Sequence, residues 1–265
     1  MSIDYWSRIF PMQRRLDCGF YAKGHPLLIE CMGFPGAGKT TIAKVAVTQF
    51  RARHDWSTFF YAKDGKLQHG VRDAGRAIGV VYKSLAGVVS RGQPREMRRM
   101  IGVLDRILVF RRARERLSEQ DVVIYDQGLI QKLYLMREED KPERAALEAV
   151  LEVIKPDLSE VHVFVDTPPE LAAERYFVRA KTSSKRPYIQ WDGDRITRLY
   201  QDQYKVMQWI IEWLKQRSGT RVITLDGRSP VEENADLLVH ELNELCKESS
   251  RHIGQRADAS VMKNR

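Results

Sequence analysis

One segment of the sequence combines glycines, a lysine and a hydroxyl side chain at a spacing that suits phosphate. Residues 33–40 read Gly-Phe-Pro-Gly-Ala-Gly-Lys-Thr and match the pattern G-x-x-x-x-G-K-S/T at each fixed position. Glycines let the backbone turn sharply, so that several N–H groups face one concavity and bind an anion there. The pattern therefore predicts a loop that binds nucleotide phosphates, formed by Gly33, Gly36, Ala37, Gly38, Lys39, Thr40 and Thr41.

Two side chains at the end of this loop extend the prediction from binding to chemistry. Lys39 is expected to be an exposed loop charge whose ammonium reaches the β- and γ-phosphates, as a catalytic residue. The hydroxyl of Thr40 suits a Mg²⁺ ligand, and a helix that begins here directs the positive end of its dipole at the same phosphates. ATP and Mg²⁺ are the expected cofactors.

A second magnesium ligand is expected at the end of a neighbouring strand, because phosphate-loop enzymes hold the metal partly through such an acidic residue. Asp126 directly follows the apolar run 122–125 and fits this catalytic and metal-binding role. Asp166 also ends an apolar run, but a threonine and two prolines follow it, which favours a turn. For Asp126 the alternative is a solvated carboxylate at a strand end.

The order of apolar runs and helical periods predicts an α/β protein with a mainly parallel sheet. Strands are expected near residues 27–32, 58–62, 122–125, 161–165 and 221–225. Two helix starts carry a capping box, at Thr167 and at Ser229, with Thr or Ser at the cap, Pro at the first helical position and Glu at the third. We expect one domain over 1–247 and a polar tail over 248–265.

Composition excludes several classes of protein. Hydrophobic residues make up 43% of the 265 residues, enough to form a core, and no apolar run approaches the ~20 residues of a membrane span. Three cysteines are too few for a disulfide framework, and the first 25 residues lack a signal-peptide core, so we expect a cytoplasmic protein. The net charge of +9 favours anionic partners, but charge alone does not distinguish nucleotides from nucleic acid or acidic lipid.

Four segments, taken in order, resemble the nucleoside and nucleotide kinases, and especially the thymidylate-kinase-like branch. They are the strand and loop ending in GFPGAGKTT, then VVIYDQG, VHVFVDTPPELAAERYFVRA and VITLDGRSPVEENADLL, which together span most of 27–247. The resemblance implies a three-layer α/β/α sandwich with a five-stranded parallel sheet, ATP·Mg²⁺ as phosphate donor, and a mobile lid at about 175–192.

Basic residues near this lid could act on the transferred phosphate. Arg175 and Arg179 are four residues apart on a predicted helix, so they share one face, and they lie where the family carries its lid arginines. Guanidinium groups that close over the phosphoryl group would stabilise its charge and exclude water. The alternative is a solvated basic helix face.

Two residues, Gln127 and Asp64, bear on the identity of the phosphate acceptor without determining it. Relatives usually carry Arg directly after the acidic residue of the third strand, where this sequence has Gln127. Asp64 follows the second strand where small-alcohol kinases place a general base, but Asp64-Gly65 is equally typical of a turn. We therefore expect a small acceptor that is anionic or nucleoside-like.

A segment rich in arginine, over about 91–117, could line the acceptor site, face nucleic acid or only solubilise a helix. Two other functions stay open beside the small-molecule kinase. One is a regulatory ATPase or GTPase-like switch, although the N-K-x-D motif of GTPases is absent. The other is a kinase of nucleic-acid ends, although no nucleic-acid-binding motif is present. A homodimer is also compatible with the sequence.

Overall fold

The computed structural model describes six stretches of the chain: residues 27–53, 58–61, 122–126, 128–134, 144–181 and 192–245. Several predicted features lie outside these stretches, namely Asp64, Gln127, the arginine-rich segment over 91–117, most of the expected lid beyond residue 181, and the tail over 248–265.

The described strands form one parallel sheet. They are β1 (Leu27–Met32), β2 (Thr58–Tyr61), β3 (Val122–Tyr125), β4 (Val161–Asp166) and β5 (Arg221–Asp226). Their spatial order is β2-β3-β1-β4-β5, and each neighbouring pair runs parallel. The parallel α/β class predicted from the sequence is confirmed.

Helices connect these strands. They are α1 (Lys39–Arg53), α2 (Leu129–Tyr134), α3 (Arg144–Ile154), α4 (Pro169–Lys181), α5 (Gly193–Trp213) and α6 over 231–245. A short 3-10 turn, Lys155–Asp157, follows α3, and a π turn, Leu214–Ser218, follows α5. None of the helices in the described stretches is both long and apolar enough to cross a membrane.

The central strand β1 positions the candidate site. All six of its residues are buried, as are all four of β3, which is typical of parallel strands covered on both faces. The chain leaves β1 toward β2 on one side, whereas β3 connects to β4 on the other, so the strand order reverses around β1. Ligands of open α/β sheets bind at such a reversal, outside the carboxyl ends of the strands.

The start of α4 differs from the predicted capping box. The helix begins at Pro169, one residue after Pro168, which the capping box placed at the first helical position. However, the hydroxyl of Thr167 makes no hydrogen bond with any residue that the structure describes. The turn after β5 lies directly over it, so closely that a Cβ on Gly227 would be 1.8 Å from Thr167 Oγ1. Packing against this turn has replaced the capping interaction.

Candidate phosphate-binding site

The loop between β1 and α1 has the backbone conformation that its glycines predict. Gly33, Gly36 and Gly38 adopt positive φ angles of 139°, 103° and 92°. At Gly36 a side chain is also excluded by space, because a Cβ would lie 2.5 Å from the carbonyl oxygen of Ala172 in α4. The loop is thus pressed against the backbone of α4.

Lys39 is buried, and the prediction of an exposed loop charge was wrong. Only 6% of the residue is exposed, and Nζ donates hydrogen bonds of 2.8 Å to both Gly33 O and Phe34 O. The loop curls around its own lysine, so two carbonyl groups take the place of water around the ammonium. Lys39 therefore maintains the shape of the loop as well as supplying its charge.

Backbone N–H groups of the loop remain available to an anion. Ala37 N donates to Phe34 O at 3.0 Å, which closes the turn. The N–H groups of Gly36 and Gly38, in contrast, make no hydrogen bond with the part of the chain that the structure describes. Such donors beside a lysine and a helix N-terminus are a favourable environment for phosphate.

The two predicted magnesium ligands lie together. Thr40 Oγ1 donates a 2.7 Å hydrogen bond to Asp126 Oδ2, although the residues are 86 positions apart. The other carboxylate oxygen, Asp126 Oδ1, is buried without a hydrogen-bond partner among the described residues. The same stretches contain no group of three or more His, Cys, Asp or Glu side chains that could hold a metal ion. Mg²⁺ usually takes only one or two protein oxygens and completes its shell with water and phosphate.

The charge of Asp126 also affects the neighbouring strand. Burial, followed by the proximity of the Asp126 carboxylate, raises the pKa of the Cys31 thiol to about 12. Cys31 is therefore a protonated, unreactive packing residue beneath the loop.

Arg175 contacts the turn after β5. Its Nη1 donates a 2.8 Å hydrogen bond to the carbonyl oxygen of Gly227, and the side chain is otherwise exposed. Arg179 is exposed one turn further along α4. Both arginines thus lie on the helix that the loop contacts at Gly36, and in this state Arg175 connects that helix to the end of β5.

Sequence reasoning missed a buried polar cluster next to the site, which consists of Glu30, Gly128, Gln131 and His162. Glu30 Oε1 accepts a 3.1 Å hydrogen bond from Gln131 N in the first turn of α2. A Cβ on Gly128 would lie 2.1 Å from Glu30 Cδ, so only glycine fits there. Glu30 therefore contacts the backbone at Gly128 and at Gln131, two and five residues after Asp126. The available signal was a charged residue within a strand that is apolar on both sides.

His162 is the acid-sensitive member of this cluster. It is fully buried, and Nδ1 lies 3.8 Å from Glu30 Oε2, which is too far for a hydrogen bond. Burial lowers the pKa of His162 from 6.5 to about 3, so the imidazole is neutral when the protein is folded.

This lowered pKa predicts a loss of stability in mild acid. Between pH 6.5 and about 3, His162 is protonated in the unfolded chain but stays neutral in the folded protein. The free energy of unfolding therefore falls as the pH falls. We expect His162 to account for about 2 kcal/mol of this fall between pH 7 and pH 5. Urea unfolding of wild type and His162→Gln at both pH values measures it. An equal pH dependence in the two proteins would contradict the prediction.

Comparison with solved structures yields 213 matching chains. Neither the protein-family models nor the curated proteins gave a match to the chain. The chain is similar to a deoxyadenosine kinase from M. mycoides, solved with the product dCMP and a flexible dCDP, at 14% identity. The match covers 82% of this chain and 99% of that one, with a TM-score of 0.44. At this level of similarity, function has to be argued from the side chains of the chain itself.

Proposed function

We propose that the protein is an ATP- and Mg²⁺-dependent phosphotransferase that moves the γ-phosphate to a small acceptor, namely a nucleoside, a nucleotide or a related metabolite. The observation that carries the proposal is the contact between Thr40 and Asp126 at the end of a loop that holds Lys39. Phosphoryl transfer needs donors that bind the phosphates, a cation and a metal site. The loop N–H groups, Lys39 and the pair of Thr40 and Asp126 would supply these three.

The loop would bind the phosphate chain of ATP. The N–H groups of Gly36 and Gly38 would donate to the β-phosphate, and α1 would direct its positive dipole end at the same group. Lys39 would exchange the carbonyl oxygens of Gly33 and Phe34 for phosphate oxygens. This exchange removes the ammonium from groups that carry only partial charge and pairs it with a full one.

Thr40 and Asp126 fit a Mg²⁺ ion. The buried Oδ1 of Asp126 has a lone pair without a donor in the described part of the chain, and a cation would satisfy it. When bound, the ion would neutralise charge on the β- and γ-phosphates. The protein's part is to hold the carboxylate and the hydroxyl at the carboxyl edge of β3 and β1.

The remaining roles concern the acceptor side. Arg175 and Arg179 would stabilise the transferred phosphoryl group, within a lid over about 175–192 of a single domain spanning 1–247. Asp64 would act as general base if the acceptor is a hydroxyl, and would be dispensable if the acceptor is a phosphate, which is already an anion. Asp64→Asn with both kinds of acceptor separates these cases.

An acceptor panel tests the proposal. Purified protein is incubated with ATP and Mg²⁺ and with nucleosides, nucleoside monophosphates or 5′-hydroxyl oligonucleotides, and phosphorylated products are identified by mass spectrometry. Transfer to a small acceptor supports the proposal. ADP formation that no acceptor stimulates would indicate the nucleotide switch instead, and transfer to oligonucleotides alone would indicate an end-modifying kinase.

Asp126→Asn is expected to impair magnesium use more than nucleotide binding, because it removes the charge near the metal and keeps the shape of the side chain. We expect the Mg²⁺ concentration for half-maximal activity to rise at least about tenfold, with ATP affinity in the absence of metal unchanged. Activity titrated against Mg²⁺ measures the first quantity, and calorimetry with ATP in the absence of Mg²⁺ measures the second. Asp166→Asn is the matched control, since Asp166 also ends a strand but accepts from Tyr204 Oη rather than from Thr40. Equal metal dependence in both variants would make Asp126 a structural residue.

A further inference from the structure

Four aromatic residues join the phosphate loop to two helices. We call them the aromatic clamp: Phe34 in the loop, Tyr176 on α4, and Tyr200 and Tyr204 on α5. Phe34 is fully buried, and its ring stacks on that of Tyr200 with centroids 4.7 Å apart and planes 8° apart. Tyr176 packs edge-on against Tyr200 at 6.3 Å. The ring of Tyr200 is therefore fixed on two sides.

The fixed ring aims a hydroxyl at the loop. Tyr200 Oη donates a 3.1 Å hydrogen bond to the carbonyl oxygen of Pro35, which lies 165 residues away in the sequence. Tyr204, four residues later on the same face of α5, has its ring 6.1 Å from Phe34 but donates to Asp166 Oδ1 at 2.9 Å. The two tyrosines thus share the aromatic contact and differ in the acceptor of the hydroxyl.

The bond from Tyr200 sets the direction of one N–H group of the loop. In a planar trans peptide the C=O and the following N–H point in opposite directions, and the described part of the chain contains no cis peptide. Because Tyr200 on α5 binds Pro35 O, this carbonyl group points toward α5 and the N–H of Gly36 points away from it. Lys39 engages the two preceding carbonyl groups, of Gly33 and Phe34, in the same manner. Three consecutive carbonyl groups of the loop are therefore each held by a donor from a side chain.

We propose that Tyr200 is a positioning residue of the phosphate loop, which orients the Gly36 N–H toward the phosphate chain of a bound nucleotide. The assignment rests on the proposed function in so far as a nucleotide binds at this loop. It deepens that function by making the affinity for the phosphate chain depend on a helix outside the phosphate-loop motif. Without Tyr200 Oη the peptide between Pro35 and Gly36 can rotate, and binding has to order it again.

Tyr200→Phe tests the assignment, because it removes the hydroxyl and keeps the stacked ring. We expect the dissociation constants of ATP·Mg²⁺ and of inorganic tripolyphosphate, measured by calorimetry, to rise about tenfold. The affinity for adenosine, which has no phosphate, should stay unchanged. Phe34→Leu should also weaken tripolyphosphate binding, because it removes the ring that stacks on Tyr200. In the double variant Tyr200→Phe/Phe34→Leu, the dissociation constant of tripolyphosphate should rise by less than the product of the two single effects, because both changes loosen the same aromatic clamp.

Tyr204→Phe is the matched control, since it removes one hydroxyl from the same helix and keeps its ring beside Phe34. Both variants should melt within about 4 °C of wild type, but only Tyr200→Phe should lose phosphate affinity. Equal tripolyphosphate affinity in wild type and Tyr200→Phe would overturn the assignment and leave the proposed function intact. Wild-type protein that binds neither ATP nor tripolyphosphate would overturn both.

Discussion

Lys39→Ala is expected to reduce the rate of phosphoryl transfer by at least about 10²- to 10³-fold, the effect of removing one positioned charge or donor from a transition state. In the proposed function the ammonium is the cation that the loop itself supplies to the β- and γ-phosphates. Steady-state kinetics with ATP·Mg²⁺ and the acceptor identified from the panel measure the effect.

The burial of Lys39 makes a stability control necessary for this variant. The substitution removes hydrogen bonds to Gly33 O and Phe34 O but also removes a buried charge, and these effects oppose each other. We expect the free energy of unfolding to change by no more than about 2 kcal/mol. Lys44→Ala, at an exposed position on the same helix, should leave both rate and stability unchanged. A folded Lys39→Ala protein with the turnover of wild type would contradict the catalytic role of the loop.

The double variant Arg175→Ala/Arg179→Ala is expected to lower kcat by about 10³-fold while raising KM for ATP far less. Guanidinium groups that meet the phosphoryl group as it transfers interact most strongly in the transition state, so their loss appears in kcat. Arg→Lys at either position should recover only part of the loss, because an ammonium lacks the planar fork that spans two oxygens. The single variants Arg175→Ala and Arg179→Ala show how much each arginine contributes to kcat.

Arg175 is expected to affect stability as well as kinetics. Arg175→Ala also removes the hydrogen bond to Gly227 O, so it should lower the melting temperature as well as kcat. Arg198→Ala, at an exposed position on α5, controls for the loss of surface charge. Full kcat in the folded double variant would remove both arginines from the catalytic site and favour the nucleotide switch.

The sequence by itself determined the parallel sheet and the position of the glycine-rich loop between β1 and α1. Both depend on local patterns: strands buried on both faces must be continuously apolar, and a backbone with φ above 90° at three positions needs glycine at each of them. The pairing of Thr40 with Asp126 was also predictable, because parallel neighbouring strands end at one edge of the sheet. Strand ends shifted by one residue at most, with β4 and β5 extending to Asp166 and Asp226.

The tertiary structure decided which partners the polar groups take. Lys39 turned inward because loop carbonyl groups compete with water for its ammonium, and Thr167 lost its capping role because the turn after β5 covers its hydroxyl. Gly128 is required only because Glu30, 98 positions earlier in the numbering, fills the space of its side chain. The contacts of Thr167 and Gly128 depend on the register of strands and the docking of helices, which bring together residues that are remote in sequence, as Tyr200 and Pro35 are.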